Sequence, residues 1–389
     1  MNPTTLSLNE ILPWMTDIFR MCGISMDILI NLCLLSLSMM RSKAIRERLK
    51  DLDDFLNEQY KEAHPEKKRD WRTYEEQYAL RLKTAMRQLE PLVDEACNIY
   101  IVPAAGRKHE LTLKQRVTLI LLHRLFGESN RMMASMTAIF SILSGIDIGY
   151  KSIERLYEDE EVDMALHNLH MIILRRKGIR VADAAGDGTG YSLTIRKHYA
   201  TETEKQKDKA KENQTVEQKP DSAAPKVQKQ SGANKPKSRK AFAYSFKLID
   251  VKTQIYLAYG TSLKSEREAF DRAMIFLSKT GIKLDSVRLD KYYSAPAYVD
   301  LFGDTKVYVL PKKNATLKGS WKWKHTMFDF VANTPEYLEE YYQRELTESG
   351  WSADKRQLGW GIAQKLPERI DTADFCTHLW HNLFRLDSG

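Results

Sequence analysis

The stretch "VADAAGDGTGYS", residues 181–192, crowds two aspartates and three glycines into twelve positions. It reads as a phosphate cradle, a tight turn, or a strand end that delivers a carboxylate to a metal. The cradle fails, because no Gly-Lys-Ser/Thr follows and Tyr191 to His198 has the pattern of a strand rather than a helix. The glycines then read as turn chemistry just after a strand from Arg180 to Ala184. On that reading Asp187 follows the strand, while Asp183 lies in it.

Downstream the composition changes at Thr201. From there to Lys240 there is no aromatic, Leu, Ile or Met residue, and ten Lys and one Arg face six Asp or Glu. This stretch therefore supplies +5 of the formal +8, and the rest of the chain is only mildly basic. A segment so poor in apolar surface cannot offset its ordering entropy, so residues 199–240 read as a flexible basic insertion. Patterned sequence resumes in "FAYSFKLIDVKTQIYLAYG", a β-hairpin turning at Lys252-Thr253. A helix (Ser265 to Lys279), a strand (Ser286 to Leu289), a short helix (Ala295 to Phe302), a strand (Lys306 to Leu310) and a helix from Pro335 follow. This order predicts an α/β layer.

Upstream everything reads as helix. Ile45, Leu49, Leu52 and Leu56 share one face, and the turn signal His64-Pro65 precedes a second amphipathic run from Trp71 to Ile101. Residues 1–105 thus form a helical region suited to dimerisation or DNA binding. In residues 106–177, the break at Ser144-Gly145 and a helix from Lys151 to Tyr157 resemble a helix-turn-helix with Lys151 and Arg155 on its reading helix. Cys22, Cys33, Cys97 and Cys376 have neither metal-knuckle nor disulfide-framework spacing, which predicts a reducing, cytoplasmic setting. The apolar run from Ile24 to Met40 carries Asp27 and Asn31 and falls short of the ~20 residues of a membrane span.

Asp187 and Asp290, at the end of "SVRLD", sit at strand ends, where an α/β sheet gathers ligands, and Glu348 lies on the helix from Pro335. Three carboxylates brought together need a cation, and hard divalent ions take oxygen ligands. Tyr341, Arg344, Glu348 and Lys355 fall within a stripe of roughly 60° on one helix face. Such a stripe suits phosphate and metal together, or is a solvated face with an Arg344 to Glu348 ion pair.

That Y-x2-R-x3-E-x6-K spacing matches the YREK signature of the insertion-sequence transposases of the IS-four type, in the DDE superfamily. "GDGTG" resembles the family's first aspartate block, with Thr189 two residues after Asp187, and "LDKYYS" its second, in which Lys291 follows Asp290. The resemblance spans Arg180 to Asp387. It implies a ribonuclease-H-like catalytic domain over 178–389, a mixed sheet flanked by helices, preceded by an all-α N-terminal region. It implies two divalent cations, Mg2+ or Mn2+, on Asp187, Asp290 and Glu348, and DNA cleavage and strand transfer at transposon ends. It further implies that Tyr341, Arg344 and Lys355 hold the double-stranded DNA end, that a homodimer pairs two ends, and that the protein works at the nucleoid.

Many members of that family carry a sizeable β-rich insertion between the second Asp and the Glu; here only a short one, 314–333, is present. Its "WKWKH" interleaves Trp321 and Trp323 with lysines, which suits base stacking or a strand with both rings on a buried face. A tyrosine nucleophile at Tyr292 or Tyr293 lacks the Arg and His-x-x-Arg partners it needs. His378 and His381 near Cys376 read as a packed terminal segment before a zinc site. A nuclease or resolvase without strand transfer, and a non-catalytic DNA-binding derivative, remain the alternatives.

Overall fold

The computed structural model describes residues 70–99, 110–127, 129–144, 148–193, 242–312 and 315–386. The predicted helices before Asp70, the basic insertion 199–240 and the tail of the predicted strand to His198 lie outside them. The chain divides into two compact units, residues 1–68 with 311–316, and residues 69–310 with 317–389. The second is described below.

It begins with five helices: α1 (Trp71–Ala96), α2 (Leu113–Phe126), α3 (Asn130–Ser144), α4 (Tyr150–Leu156) and α5 (Glu160–Arg176). Their ends follow from local chemistry. Thr112 and Gln115 form a reciprocal capping box at the start of α2, and Gly127 closes it in the left-handed region at φ 66°. Asp159 caps α5, whose first turn holds Glu160, Glu161 and Asp163 against the helix dipole.

Six strands form one mixed sheet: β1 (Val181–Leu193), β2 (Phe242–Asp250), β3 (Tyr256–Ser262), β4 (Lys283–Leu289), β5 (Lys306–Tyr308) and β6 (Gly361–Ile362). Their order is β3-β2-β1-β4-β5, with β6 paired to the end of β1. β2 and β3 run antiparallel, as the hairpin reading requires, and β4 and β5 run parallel to β1. The connecting helices are α6 (Glu266–Thr280), α7 (Pro296–Val299), α8 (Trp321–Ala332), α9 (Thr334–Tyr342), α10 (Glu345–Leu358) and α11 (Pro367–Arg385).

α6 packs on β1, β2 and β3, α10 packs on β1 and β2, and α11 meets β3 together with α1, α2 and α5. One hydrophobic core therefore runs from Leu89 and Ile173 in the leading helices through Phe246 and Val287 in the sheet to Phe375 and Trp380 on α11. Among the described residues no helix is long and apolar enough to cross a membrane.

Three local expectations change. The glycines of "GDGTG" do not turn the chain; β1 runs straight through them. Successive side chains alternate faces, so Gly186, Gly188 and Gly190 lie on one face and Asp187, Thr189 and Tyr191 on the other. A methyl at Gly186 would stand 2.6 Å from Phe246 Cζ and one at Gly188 2.5 Å from Glu266 Cδ, so the missing side chains let a β2 ring and the start of α6 lie over β1. Second, "WKWKH" opens α8, because Ser320 caps it by accepting from the Trp323 N–H at 3.0 Å. Third, the stripe from Tyr341 to Lys355 spans two helices, with Gln343 and Arg344 at the joint.

Candidate active site, three carboxylates around one arginine

The strand register builds the first half of the site. Gly186 on β1 lies beside Leu289 on β4, so Asp187 and Asp290 emerge next to one another. The Asp187 Oδ1 accepts its neighbour Gly188 N–H at 2.8 Å. Asp290 caps a 3-10 turn, Lys291–Tyr293, and its Oδ2 accepts the Tyr292 N–H at 3.1 Å. Both carboxylates are thus oriented by backbone amides.

The second half comes from the joint between α9 and α10. Arg288 on β4 donates from Nε to the Glu340 carbonyl at 3.0 Å, and the Tyr337 hydroxyl accepts the Val309 N–H at 2.8 Å. Both bonds pin α9 at the β4–β5 edge. From there the Arg344 Nη1 reaches Glu348 Oε1 at 2.7 Å, Asp187 Oδ2 at 3.4 Å and Asp290 Oδ1 at 3.9 Å. One guanidinium therefore meets all three sequence-predicted acids. Among the described residues no three His, Cys, Asp or Glu side chains close on a point where they could hold a metal ion; the acids converge on the arginine.

Burial pushes the Asp187 carboxyl up to about 6, Asp290 and Glu348 push the same way, and Arg344 and the Gly188 N–H oppose them. Three acids face one cation, so the cluster keeps an excess of negative charge.

Lys355 stands on the same face as Asp187, donating from Nζ to Thr189 Oγ1 at 2.7 Å with the Tyr191 and Trp360 rings beside it. Burial, and Lys247 nearby, lower its ammonium pKa. Tyr341 is only 3% exposed and lies beneath the Arg344 guanidinium, 5.6 Å from ring centroid to Cζ. It supports the arginine from the core and offers no free face to DNA. Trp323 needs the same correction: at 2% exposure it fills the core, because the α8 cap turns it inward, and no base can stack on it. Trp321, at 78%, projects outward. Lys291 follows Asp290 in the 3-10 turn. Lys151 and Arg155 are exposed on the seven-residue α4, well separated in sequence from the acid cluster.

Asp183, on the same face four residues earlier, is ~13 Å along the strand. It accepts from Ser286 and faces the Arg288 guanidinium at 3.8 Å, outside the cluster. His378 and His381 are buried on α11. The His381 Nδ1 pairs with Asp354 Oδ1 at 2.7 Å, and the His378 Nε2 meets His170 Nδ1 at 3.1 Å.

One buried layer has no counterpart in the sequence reading. Lys247, the cross-strand neighbour of Asp187, is wholly buried and faces Asp374 Oδ1 at 3.2 Å. Its Nζ lies 4.9 Å from the Trp351 ring centroid, one turn after Glu348. Asp374 Oδ2 also accepts the Ser245 and Thr261 hydroxyls at 2.6 and 2.8 Å. The available signal was a charged residue interrupting an apolar run, "SFKLI" on β2 and "TADFC" on α11.

No family model matches the chain. It is 38% identical over 347 residues to a probable transposase for insertion sequence element ISA1214 from Archaeoglobus fulgidus, an alignment covering 88% of this chain and 95% of that protein. Among solved structures, the crystal structure of the Mos1 mariner paired end complex with Mn is 11% identical and covers 81% of this chain and 97% of that one. The TM-score of that superposition is 0.19.

Proposed function

The chain belongs to the transposases of insertion sequence elements, and from that premise we propose that it binds the ends of such an element and catalyses metal-dependent DNA cleavage and strand transfer. The observation that carries the reading is the convergence of Asp187, Asp290 and Glu348, from three separate elements, on Arg344. A strand order of 3-2-1-4-5, with one acid on the central strand and one at the exit of its parallel neighbour, supports a ribonuclease-H-like catalytic domain of the DDE type. The YREK spacing supports placement with the IS-four type.

The donor set fits hard divalent cations. All three side chains offer carboxylate oxygens, and their charge exceeds what Arg344 balances. Asp187, Asp290 and Glu348 would hold Mg2+ or Mn2+ once the guanidinium moves aside. Two such ions supply an activated water or 3′-hydroxyl and stabilise the leaving oxygen. The chain's own residues do the rest. Arg344 offsets acid repulsion in the DNA-free protein and is a phosphate ligand when it swings out, since its planar fork suits phosphate. Lys355 and Lys291 flank the cluster for the backbone of a DNA end, Trp321 offers an exposed ring for an unpaired base, and Lys151 and Arg155 contact DNA away from the cleavage point. Two copies paired on two ends complete the assembly.

Supercoiled plasmid nicking with Mg2+ or Mn2+ tests the assignment. Asp187→Ala, Asp290→Ala and Glu348→Ala each reduce nicking to background and leave plasmid binding largely intact. Wild-type nicking in all three variants would sink the enzymatic reading. Strand joining by the purified protein separates a transposase from a nuclease or resolvase.

A further inference from the structure

The Asp187 and Asp290 backbones meet a common support on the face of the sheet opposite their cluster. Glu266 opens α6, directly after its cap Ser265, and α6 packs on that face. The Glu266 side chain lies against β1 so closely that a methyl at Gly188 would stand 2.5 Å from its Cδ. Gly188 is the residue whose N–H fixes the Asp187 carboxylate. The same Glu266 accepts, at Oε1, the hydroxyl of Tyr293 at 2.7 Å. Tyr293 is wholly buried and ends the turn that Asp290 caps, and its N–H returns to the Asp290 carbonyl at 2.9 Å. Its ring packs against Phe246 and Phe270, 5.4 and 5.0 Å away between centroids, in a three-ring cluster. One side chain thus packs against the β1 backbone just after Asp187 and bonds the turn that Asp290 caps.

We propose that Glu266 and Tyr293 are positioning residues that set the separation of Asp187 and Asp290 from behind the sheet, and that Gly188 has no side chain so that Glu266 can reach. This rests on the assignment of the acid cluster as the cation site. Neither residue touches substrate. Their hydroxyl-to-carboxylate bond fixes the Asp290 turn against β1, and a cation shared by two carboxylates is sensitive to such spacing.

The test is Mn2+ binding by the full-length protein without DNA, followed by electron paramagnetic resonance, with plasmid nicking as a second readout. Tyr293→Phe removes only the hydroxyl and Glu266→Ala removes its acceptor. Losing this part-buried hydrogen bond weakens Mn2+ binding and slows nicking by about tenfold in each. Glu266→Gln keeps an acceptor oxygen and recovers most of the loss, and plasmid affinity stays as in the wild type throughout. Wild-type Mn2+ affinity in both Tyr293→Phe and Glu266→Ala overturns the proposal. So does a Glu266→Gln protein as weak as Glu266→Ala, since that makes charge rather than the bond the cause. Asp290→Ala distinguishes the two layers: if it binds Mn2+ like the wild type, the cation site itself is misassigned; if it loses Mn2+ while the positioning variants do not, only the present inference fails.

Discussion

Asp371 and Asp187 both have carboxyls pushed up to about 6, yet only Asp187 sits in an ion pair within the acid cluster. Asp187 faces Arg344. Asp371 is raised by burial first and by Asp374 second, against weaker help from Thr261, Arg272 and the Tyr259 hydroxyl at 3.3 Å. The sign of its effect on stability follows from linkage. The folded chain holds the Asp371 proton up to about pH 6, whereas the unfolded chain releases it near the ordinary ~3.9. Folding is therefore not penalised by this group below about pH 4, loses stability as pH rises through 4 to 6, and stays penalised above. Asp371→Asn removes the penalty, so urea unfolding should show a gain on the order of 2 kcal/mol at pH 7.5 and none near pH 4. A variant no more stable than the wild type at pH 7.5 would show that Tyr259 and Arg272 already compensate the charge. What sequence could supply at this scale was uneven. The Arg344 to Glu348 pair was legible from i,i+4 spacing, because both ends lie on one helical stretch. Its reach to Asp187 and Asp290 was not, because that depends on where α9 is pinned against β4 and β5.

The glycines of β1 and β3 show how packing of whole elements overrides local preference. Gly260 on β3 faces α6, and a methyl there would stand 2.5 Å from the Ala273 amide nitrogen and closer still to the Ala269 carbonyl. Both are backbone atoms of one helix, so α6 as a unit would have to lift from the sheet. A methyl at Gly190 on β1 would meet first the ring of Phe242, which is exposed at the strand's end and can rotate away. Gly260→Ala should therefore cost about 3 kcal/mol and Gly190→Ala less than about 1, measured by urea unfolding. Equal costs would mean that α6 yields as easily as an exposed ring. The same physics explains the misreading of "GDGTG" as a turn. Glycine is a poor strand former in isolation, and the reason for it at Gly186 and Gly188 is that side chains of β2, β4 and α6 lie over the strand there, which no local pattern reveals. The strict alternation G-D-G-T-G was nonetheless a period-two signal. "WKWKH" alternates too, but Ser320 three residues before Trp323 is a helix cap, and there the cap decides. The β2–β3 hairpin and the α6 boundaries were legible because aromatic and β-branched runs and the Ser265 cap agree with the final packing.

At the scale of the molecule, charge and fold are separable. β1 ends at Leu193 and β2 begins at Phe242, and the register pairs Ser192 with Phe242, so the ends of the intervening segment are adjacent. Residues 194–241 hold thirteen Lys or Arg against six Asp or Glu, so they supply +7 of the formal +8. The sheet does not need them. Replacing them by Asn-Gly leaves Leu193-Asn-Gly as a three-residue loop between the paired Ser192 and Phe242, a length that closes β1 and β2 into a hairpin with the glycine in the left-handed position. Shortening the connection also lowers its closure entropy, so the variant should unfold at least as late as the wild type, with a gain of up to about 2 kcal/mol. DNA binding should move the other way. A body left at +1, with an acidic cluster at its site, has little long-range attraction for phosphate, so the variant should bind plasmid weakly at low salt and with a flatter dependence of log K on log salt. Nicking at saturating DNA should survive, because Asp187, Asp290, Glu348 and Arg344 all lie outside the replaced segment. Binding and nicking measured across a salt series decide the matter. An unchanged salt slope would assign phosphate neutralisation to the folded body, through Lys291, Lys355, Lys151 and Arg155, and would leave the basic segment without a part in DNA capture.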